Sequence, residues 1–146
     1  MANTDWQTAT ATLRLARQLI DGIQEGLAAR GFTDIRPAHG FVFAALSPDM
    51  TTAGLAVALD ISKQAAAQLV DTLVQRGYLR RQPDSRDRRA QVLVLTERGY
   101  ACTQAAEQAA SEVVNDWHDQ VAKADFERFT HTLHAIAKPG RLRPSW

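Results

Sequence analysis

Residues 51–95 read TTAGLAVALDISKQAAAQLVDTLVQRGYLRRQPDSRDRRAQVLVL, and the order of turns and stripes within them decides the fold. Thr51 or Thr52 is placed to cap a short helix ending near Leu59, and Asp60-Ile61-Ser62 makes a tight turn. A second helix runs from Ser62 to Arg76, and Gly77 stops it. Ile61, Ala65, Leu69 and Leu73 recur at steps of four and mark its expected buried face, with Lys63, Gln64, Ala67, Gln68, Asp71 and Gln75 opposite. Tyr78–Arg81 and Ala90–Leu95 have the β-branched and aromatic content of short strands flanking the polar stretch Gln82–Arg89. Two short helices across a tight turn, then a hairpin with a charged tip, make a winged helix-turn-helix.

Outward from that segment the chain reads as helix. Toward the N-terminus, Trp6, Ala9, Leu13, Ala16, Ile20, Ile23 and Leu27 step alternately by three and four, the seam of a helix packing lengthwise on others, with Gly31 as its stop. Pro37 opens a second helix carrying Phe41, Phe43 and Leu46, and Ser47-Pro48-Asp49 ends it. Beyond the hairpin, Thr96 and Glu97 open a long helix whose expected stripe is Ala101, Ala105, Ala109, Val113, Trp117 and Val121. Phe126, Phe129, Leu133 and Ile136 mark a last helix, closed by Pro139-Gly140. The expected fold is therefore mainly α with a small β-hairpin wing: a winged helix-turn-helix over 36–95, dimerisation helices over 1–35 and 96–138, and a loosely ordered tail over 139–146.

Composition narrows the class. At 146 residues with 45% apolar and 23% charged content the chain suits one globular domain, large enough to fold without a staple. One cysteine, Cys102, allows no internal disulfide and fits a reducing compartment. Apolar runs are too short to cross a bilayer, and the first residues lack the basic and apolar blocks of a secretion signal, so a cytoplasmic protein is expected. The net charge of +1 hides an asymmetry. Between Arg76 and Arg89 six arginines face two aspartates, a local +4 that leaves −3 for the remainder. So compact a basic cluster points to a localised anionic partner.

The stretch from Leu73 to Gly99, LVQRGYLRRQPDSRDRRAQVLVLTERG, resembles the recognition-helix end, wing and wing exit of the MarR family of bacterial transcriptional regulators. Asp87-Arg88-Arg89 at the tip, followed by Leu95-Thr96 and Gly99, is its most specific part. The resemblance implies a homodimer whose first and last helices interlock, each subunit presenting a winged helix to half of a palindromic operator. By position it implies that Arg88 enters the minor groove, with Asp87 and Arg89 organising the wing and its phosphate contacts. Ser85 stands where the family commonly has proline, and Ala65-Ala66-Ala67 leaves the middle of the recognition helix few long side chains.

The chemistry agrees with that expectation. A helix fits the major groove, and its exposed N-terminal side chains reach base edges. Ser62, Lys63, Gln64 and Gln68 stand there, glutamine being able to bond adenine in two places and lysine to donate to guanine. Thr51 joins them as a DNA-binding residue, and Arg86, Arg88 and Arg89 supply the wing's positive charge. Asp84 and Asp87 are expected to organise the wing by forking onto its arginines. The partners expected are double-stranded DNA, a second copy of the chain and a small, aromatic effector lodged near His39 and Phe43, for which a plain core histidine and phenylalanine are an equal reading. No cofactor, metal or enzymatic activity is expected. His131 and His134 are spaced to share a metal but lack completing ligands, Cys102 lies away from the N-terminal position of the family's oxidant-sensing cysteines, and the chain has no nucleophile elbow, phosphate loop or dinucleotide fingerprint. The alternative function is a winged helix serving as a protein-interaction or dimerisation module, which the alanine-rich recognition helix motivates.

Overall fold

The computed structural model describes residues 3–140 and 142. They form α1 (Thr4–Ala29), α2 (Pro37–Ala45), α3 (Thr52–Leu59), α4 (Lys63–Gln75), β1 (Leu79–Pro83), β2 (Gln91–Leu95), α5 (Glu97–Asp119) and α6 (Lys123–Ile136). Most of the expected tail, residues 141 and 143–146, lies outside the described residues. The chain divides into two compact units: the part up to Asp34 with Ala105–Lys138, and the part from Ile35 to Gln104. The first turns of α5 thus fall in the same unit as the winged segment, and the rest of α5 in the other.

In the winged unit the core is built from α2, α3, α4 and the hairpin. Val42, Leu55, Leu59, Val70, Leu73, Tyr78 and Leu79 are all fully buried. Capping sets where the helices begin. Thr51 Oγ1 accepts the Gly54 N–H at 3.0 Å, and Ser62 Oγ accepts the Ala65 N–H at 3.0 Å, each satisfying an N–H that has no partner inside its own helix. Turn chemistry sets where they end. After α4 the Tyr78 N–H reaches back to Leu73 C=O and the Gly77 N–H to Val74 C=O, with Gly77 at φ 78°, a left-handed close that glycine takes without penalty.

Two expectations for buried faces shift by one position. On α4 the buried residues are Ala66, Val70 and Leu73, with Ala65 and Leu69 only half-buried, because spacing of four drifts around a helix of 3.6 residues per turn. At the start of α5, Ala101 is exposed and Cys102, only 1% exposed, takes the core position. The first strand runs two residues further into the polar stretch than expected, Gln82 pairing with Val92 and Pro83 with Gln91, while the second begins at Gln91, one residue after the expected Ala90, and the loop is Asp84–Ala90.

The other unit packs α1 against the later part of α5. A Cβ on Gly22 would lie 2.3 Å from Val113 Cγ2, and one on Gly26 would lie 2.4 Å from Ala109 Cβ, so these two positions admit only glycine at the present approach. Arg30 closes this contact with an ion pair to Glu112. Phe126 of α6 is buried against His118, ring centroids 4.2 Å apart. The α1 seam behaves differently along its length. Leu27 is buried, Ile20 and Ile23 half-buried, and Trp6 and Leu13 are 68% and 71% exposed. Leu133 and Ile136 of α6 are likewise exposed, and α5 ends before Val121, which is exposed too.

Candidate nucleic-acid interface

The tight turn between α3 and α4 rests on one residue. Asp60 sits in the left-handed region at φ 56°, which an aspartate tolerates better than most side chains, and this reverses the chain in three residues. The Ile61 N–H bonds Ala56 C=O at 3.0 Å and the Asp60 N–H bonds Val57 C=O, so the last turn of α3 stays satisfied. α4 then starts directly at Lys63 with Ser62 as its cap.

On α4 the polar side expected from the sequence is the exposed one. Lys63, Gln64, Gln68, Asp71 and Gln75 are all exposed, and Gln64, Gln68, Asp71 and Gln75 line up at steps of four, three and four. Asp71 would repel an anionic partner, but it is ion-paired with Arg81 of β1. The pair leaves the amide and ammonium groups of α4 as its available donors. Thr51, half-buried, spends its oxygen lone pair on the Gly54 N–H and keeps its O–H to donate.

The wing is a two-stranded antiparallel ribbon, with Leu79 opposite Leu95 and Arg81 opposite Leu93. A main-chain bond, Leu93 N–H to Met50 C=O at 2.8 Å, ties β2 to the turn between α2 and α3. At the tip, Asp84 Oδ1 accepts the Arg86 N–H and Asp87 Oδ1 accepts the Arg89 N–H, both at 2.9 Å. These are side-chain-closed turns two residues long, and they shape the backbone of the tip. Of the carboxylate-to-guanidinium forks expected from the sequence, Asp84 keeps a single contact, to Arg86 Nε at 3.7 Å, and among the described residues Asp87 contacts only a backbone N–H.

The three tip arginines are not equivalent. Arg86 turns its guanidinium to carboxylates, Nη2 lying 2.9 Å from Asp49 Oδ2 and Nε 3.7 Å from Asp84 Oδ1. Arg88 and Arg89 are exposed, and among the described residues neither guanidinium has an ion-pair partner. Asp49 and the Asp71–Arg81 pair are the contributions that sequence reasoning missed. Asp49 precedes Arg86 by a helix-turn-helix and a strand, so no local spacing signals their meeting.

The base of the wing depends on Thr96 and Gly99. Thr96 Oγ1 accepts the Gly99 N–H at 3.1 Å and donates to Gly77 C=O, and the Thr96 N–H bonds Tyr78 C=O at 3.1 Å. A Cβ on Gly99 would stand 2.2 Å from the Tyr78 carbonyl oxygen. Leu95-Thr96 and Gly99 are thus the joint where the ribbon's exit, the end of α4 and the start of α5 meet.

His39 and Phe43 have structural employment within this unit. His39 is 4% exposed, and its Nδ1 accepts the Arg36 N–H at 3.0 Å while Arg36 C=O accepts the His39 N–H, a reciprocal cap on α2. Phe43 lies against Tyr78 with ring centroids 6.1 Å apart. A surface hollow of about 270 Å³ in the same unit is lined by Leu46, Pro48, Leu93, Leu95 and Tyr100 among others, and by neither His39 nor Phe43. Among the described residues no group of three His, Cys, Asp or Glu is placed to hold a metal, and no helix is long and apolar enough to cross a membrane.

Residues 43–90, from α2 through the wing tip, match the model of the MarR family. This winged segment is similar to the MarR family. The MarR fold extends over nearly the whole chain in solved structures. Apo MarR from E. coli superposes with a TM-score of 0.71 at 19% identity, covering 89% of this chain and 96% of that one. CouR from Rhodococcus jostii RHA1, bound to p-coumaroyl-CoA, gives 0.67 at 19% identity over 97% and 99%. A mutant of MepR from S. aureus bound to an oligodeoxyribonucleotide gives 0.66 at 16% identity over 93% and 96%. No curated protein matches the sequence. The MarR match ends at residue 90, so the Thr96–Gly99 joint stands on its own geometry.

Proposed function

We propose that this chain is a DNA-binding transcriptional regulator: a cytoplasmic, effector-responsive homodimeric repressor that reads a palindromic operator. The observation that carries the reading is the division of labour among the basic residues. Arg81 and Arg86 answer internal carboxylates, whereas Lys63 on α4 and Arg88 and Arg89 on the wing are left exposed on one winged unit. In the duplex, Ser62, Lys63, Gln64 and Gln68 face base edges in the major groove, Thr51 donates to a phosphate, and Arg88 enters the adjacent minor groove with Arg89 on its phosphates. The DNA-bound MepR relative supports this use of the fold, and the CoA-thioester-bound CouR supports response to an effector with an aromatic moiety.

The exposed apolar seam supports a second subunit. Trp6 and Leu13 of α1 and Leu133 and Ile136 of α6 leave a length of hydrophobic surface uncovered, more than scattered single residues account for. Covering it with the same surface of a second copy gives a two-fold dimer, which sets two recognition helices roughly 34 to 36 Å apart along DNA. An effector weakens binding by favouring a different spacing of the winged units, since a ligand shifts an equilibrium only through its differential affinity for the two states.

Binding of duplex DNA, measured by fluorescence anisotropy across a salt series, tests the reading at the wing. Arg88→Ala should weaken binding and flatten the slope of log K against log salt by about 0.9 for each phosphate that is no longer neutralised. Unchanged affinity and slope would remove Arg88 from the interface.

A further inference from the structure

Among the described residues, Arg86 is the one tip arginine whose guanidinium meets an acid outside the wing. Its Nη2 lies 2.9 Å from Asp49 in the turn between α2 and α3, and its Nε and backbone N–H both face Asp84, whose side chain is only 13% exposed. One residue away from Asp49, Met50 C=O accepts the Leu93 N–H of β2. The wing is therefore joined to the helix-turn-helix at two adjacent points, one main-chain bond at the middle of β2 and one ion pair at its tip.

We propose that Asp49 and Arg86 form a latch that sets the angle of the wing to the recognition helix, so that Arg86 is a positioning residue and Arg88 the wing's reading residue. The inference rests on the DNA-binding reading, and it assigns to Arg86 a different role from the phosphate contact that its charge suggests. Two features of the geometry favour the latch. Asp84 holds the Arg86 backbone and guanidinium together, which pre-orders the side chain toward Asp49 and lowers the entropy lost in pairing. A hairpin only five residues long on each strand acts as a lever, so a small change at Asp49 is magnified at Arg88. The pair is exposed, with side-chain exposures of 68% and 63%, so its effect is modest, about two- to five-fold in affinity.

Simple electrostatics and the latch give opposite signs for one variant. Removing an acid beside an anionic ligand should tighten binding, whereas removing half of a latch should loosen it. The experiment measures duplex binding at about 0.15 M salt for the full-length chain and for Asp49→Asn, Arg86→Ala, their double variant, and the exchange Asp49→Arg with Arg86→Asp. The latch predicts that both single variants bind about two- to five-fold more weakly, that the double variant is no worse than either, and that the exchange recovers most of the loss. Tighter binding by Asp49→Asn, additive single effects or no recovery on exchange would overturn it. Amide exchange at Leu93 gives a readout without DNA: the latch predicts faster exchange in both single variants and recovery in the exchange, and unchanged rates overturn it. Should the wild-type chain bind no duplex, the regulator reading fails while the amide exchange still decides the latch.

Discussion

Gly99→Ala tests whether the joint under the wing is built as described. The added methyl would stand 2.2 Å from the Tyr78 carbonyl oxygen and 2.9 Å from Leu95 Cδ2, the first contact lying about 1.2 Å inside the 3.4 Å at which ordinary packing begins. Leu95 is a flexible side chain, but the Tyr78 carbonyl is backbone and accepts the Thr96 N–H. Relief therefore requires moving the start of α5 away from β1, which strains the packing and stretches the bonds Thr96 makes to Gly77 and Gly99. Overpacking costs about 1–3 kcal/mol and a weakened hydrogen bond about 1 more. Alanine's better helix propensity returns up to about 1 kcal/mol. The expected loss is about 2–3 kcal/mol, read by urea denaturation at one fixed protomer concentration, because the proposed dimer would link stability to concentration. Gly40→Ala is the matched control. It lies inside α2 with nothing within 4 Å of its Cβ direction, so it should gain about 0.5–1 kcal/mol. Equal effects of the two substitutions would refute the close approach at Gly99.

Thr96→Val keeps the shape of the side chain but deletes the hydroxyl that accepts from Gly99 and donates to Gly77, and should cost about 1–2 kcal/mol in the same denaturation assay; a neutral result would show that the hydroxyl's bonds add nothing. Leu13→Glu places a charge in the exposed seam of α1 and should raise the dimer dissociation constant at least about a hundredfold, because a two-fold interface loses each buried leucine twice. Sedimentation of the variant as an unchanged dimer would take Leu13 out of the interface. Asp60→Val puts a β-branched residue at φ 56° and should destabilise the chain by about 1–2 kcal/mol, whereas Asp60→Gly should not; equal melting of the two would show that the turn is not held left-handed.

How much of this was legible in the sequence follows from the range of each interaction. Caps and stops are local, so Thr51, Ser62 and Gly77 announced the helices of the winged segment from neighbouring residues alone. Buried faces were legible in outline but not in phase: Leu73 was placed correctly, while Ala66 and Val70, not Ala65 and Leu69, fill the core. Cys102 against Ala101 is the same one-step error on α5. The charged tip was visible as composition, yet its pairing was not. Asp49 with Arg86 and Asp71 with Arg81 are brought together by the fold, across chain separations where spacing carries no information. Asp84 and Asp87 were expected to fork onto the arginines, whereas both accept backbone N–H groups and Asp84 alone also faces a guanidinium, that of Arg86. The exposed seam shows the reverse case, in which a stripe of regular spacing remained uncovered in a single copy of the chain.

In the proposed function, two copies of this chain read DNA through α4 and the wing. Selection of genomic fragments by the purified protein, followed by footprinting of the enriched site, tests it most directly. The expected result is an inverted repeat with half-site centres one helical turn apart, about 10 to 10.5 base pairs, and minor-groove protection flanking each half-site where Arg88 enters. Failure to enrich any palindrome over bulk DNA would contradict it and favour the winged helix as a protein-interaction module.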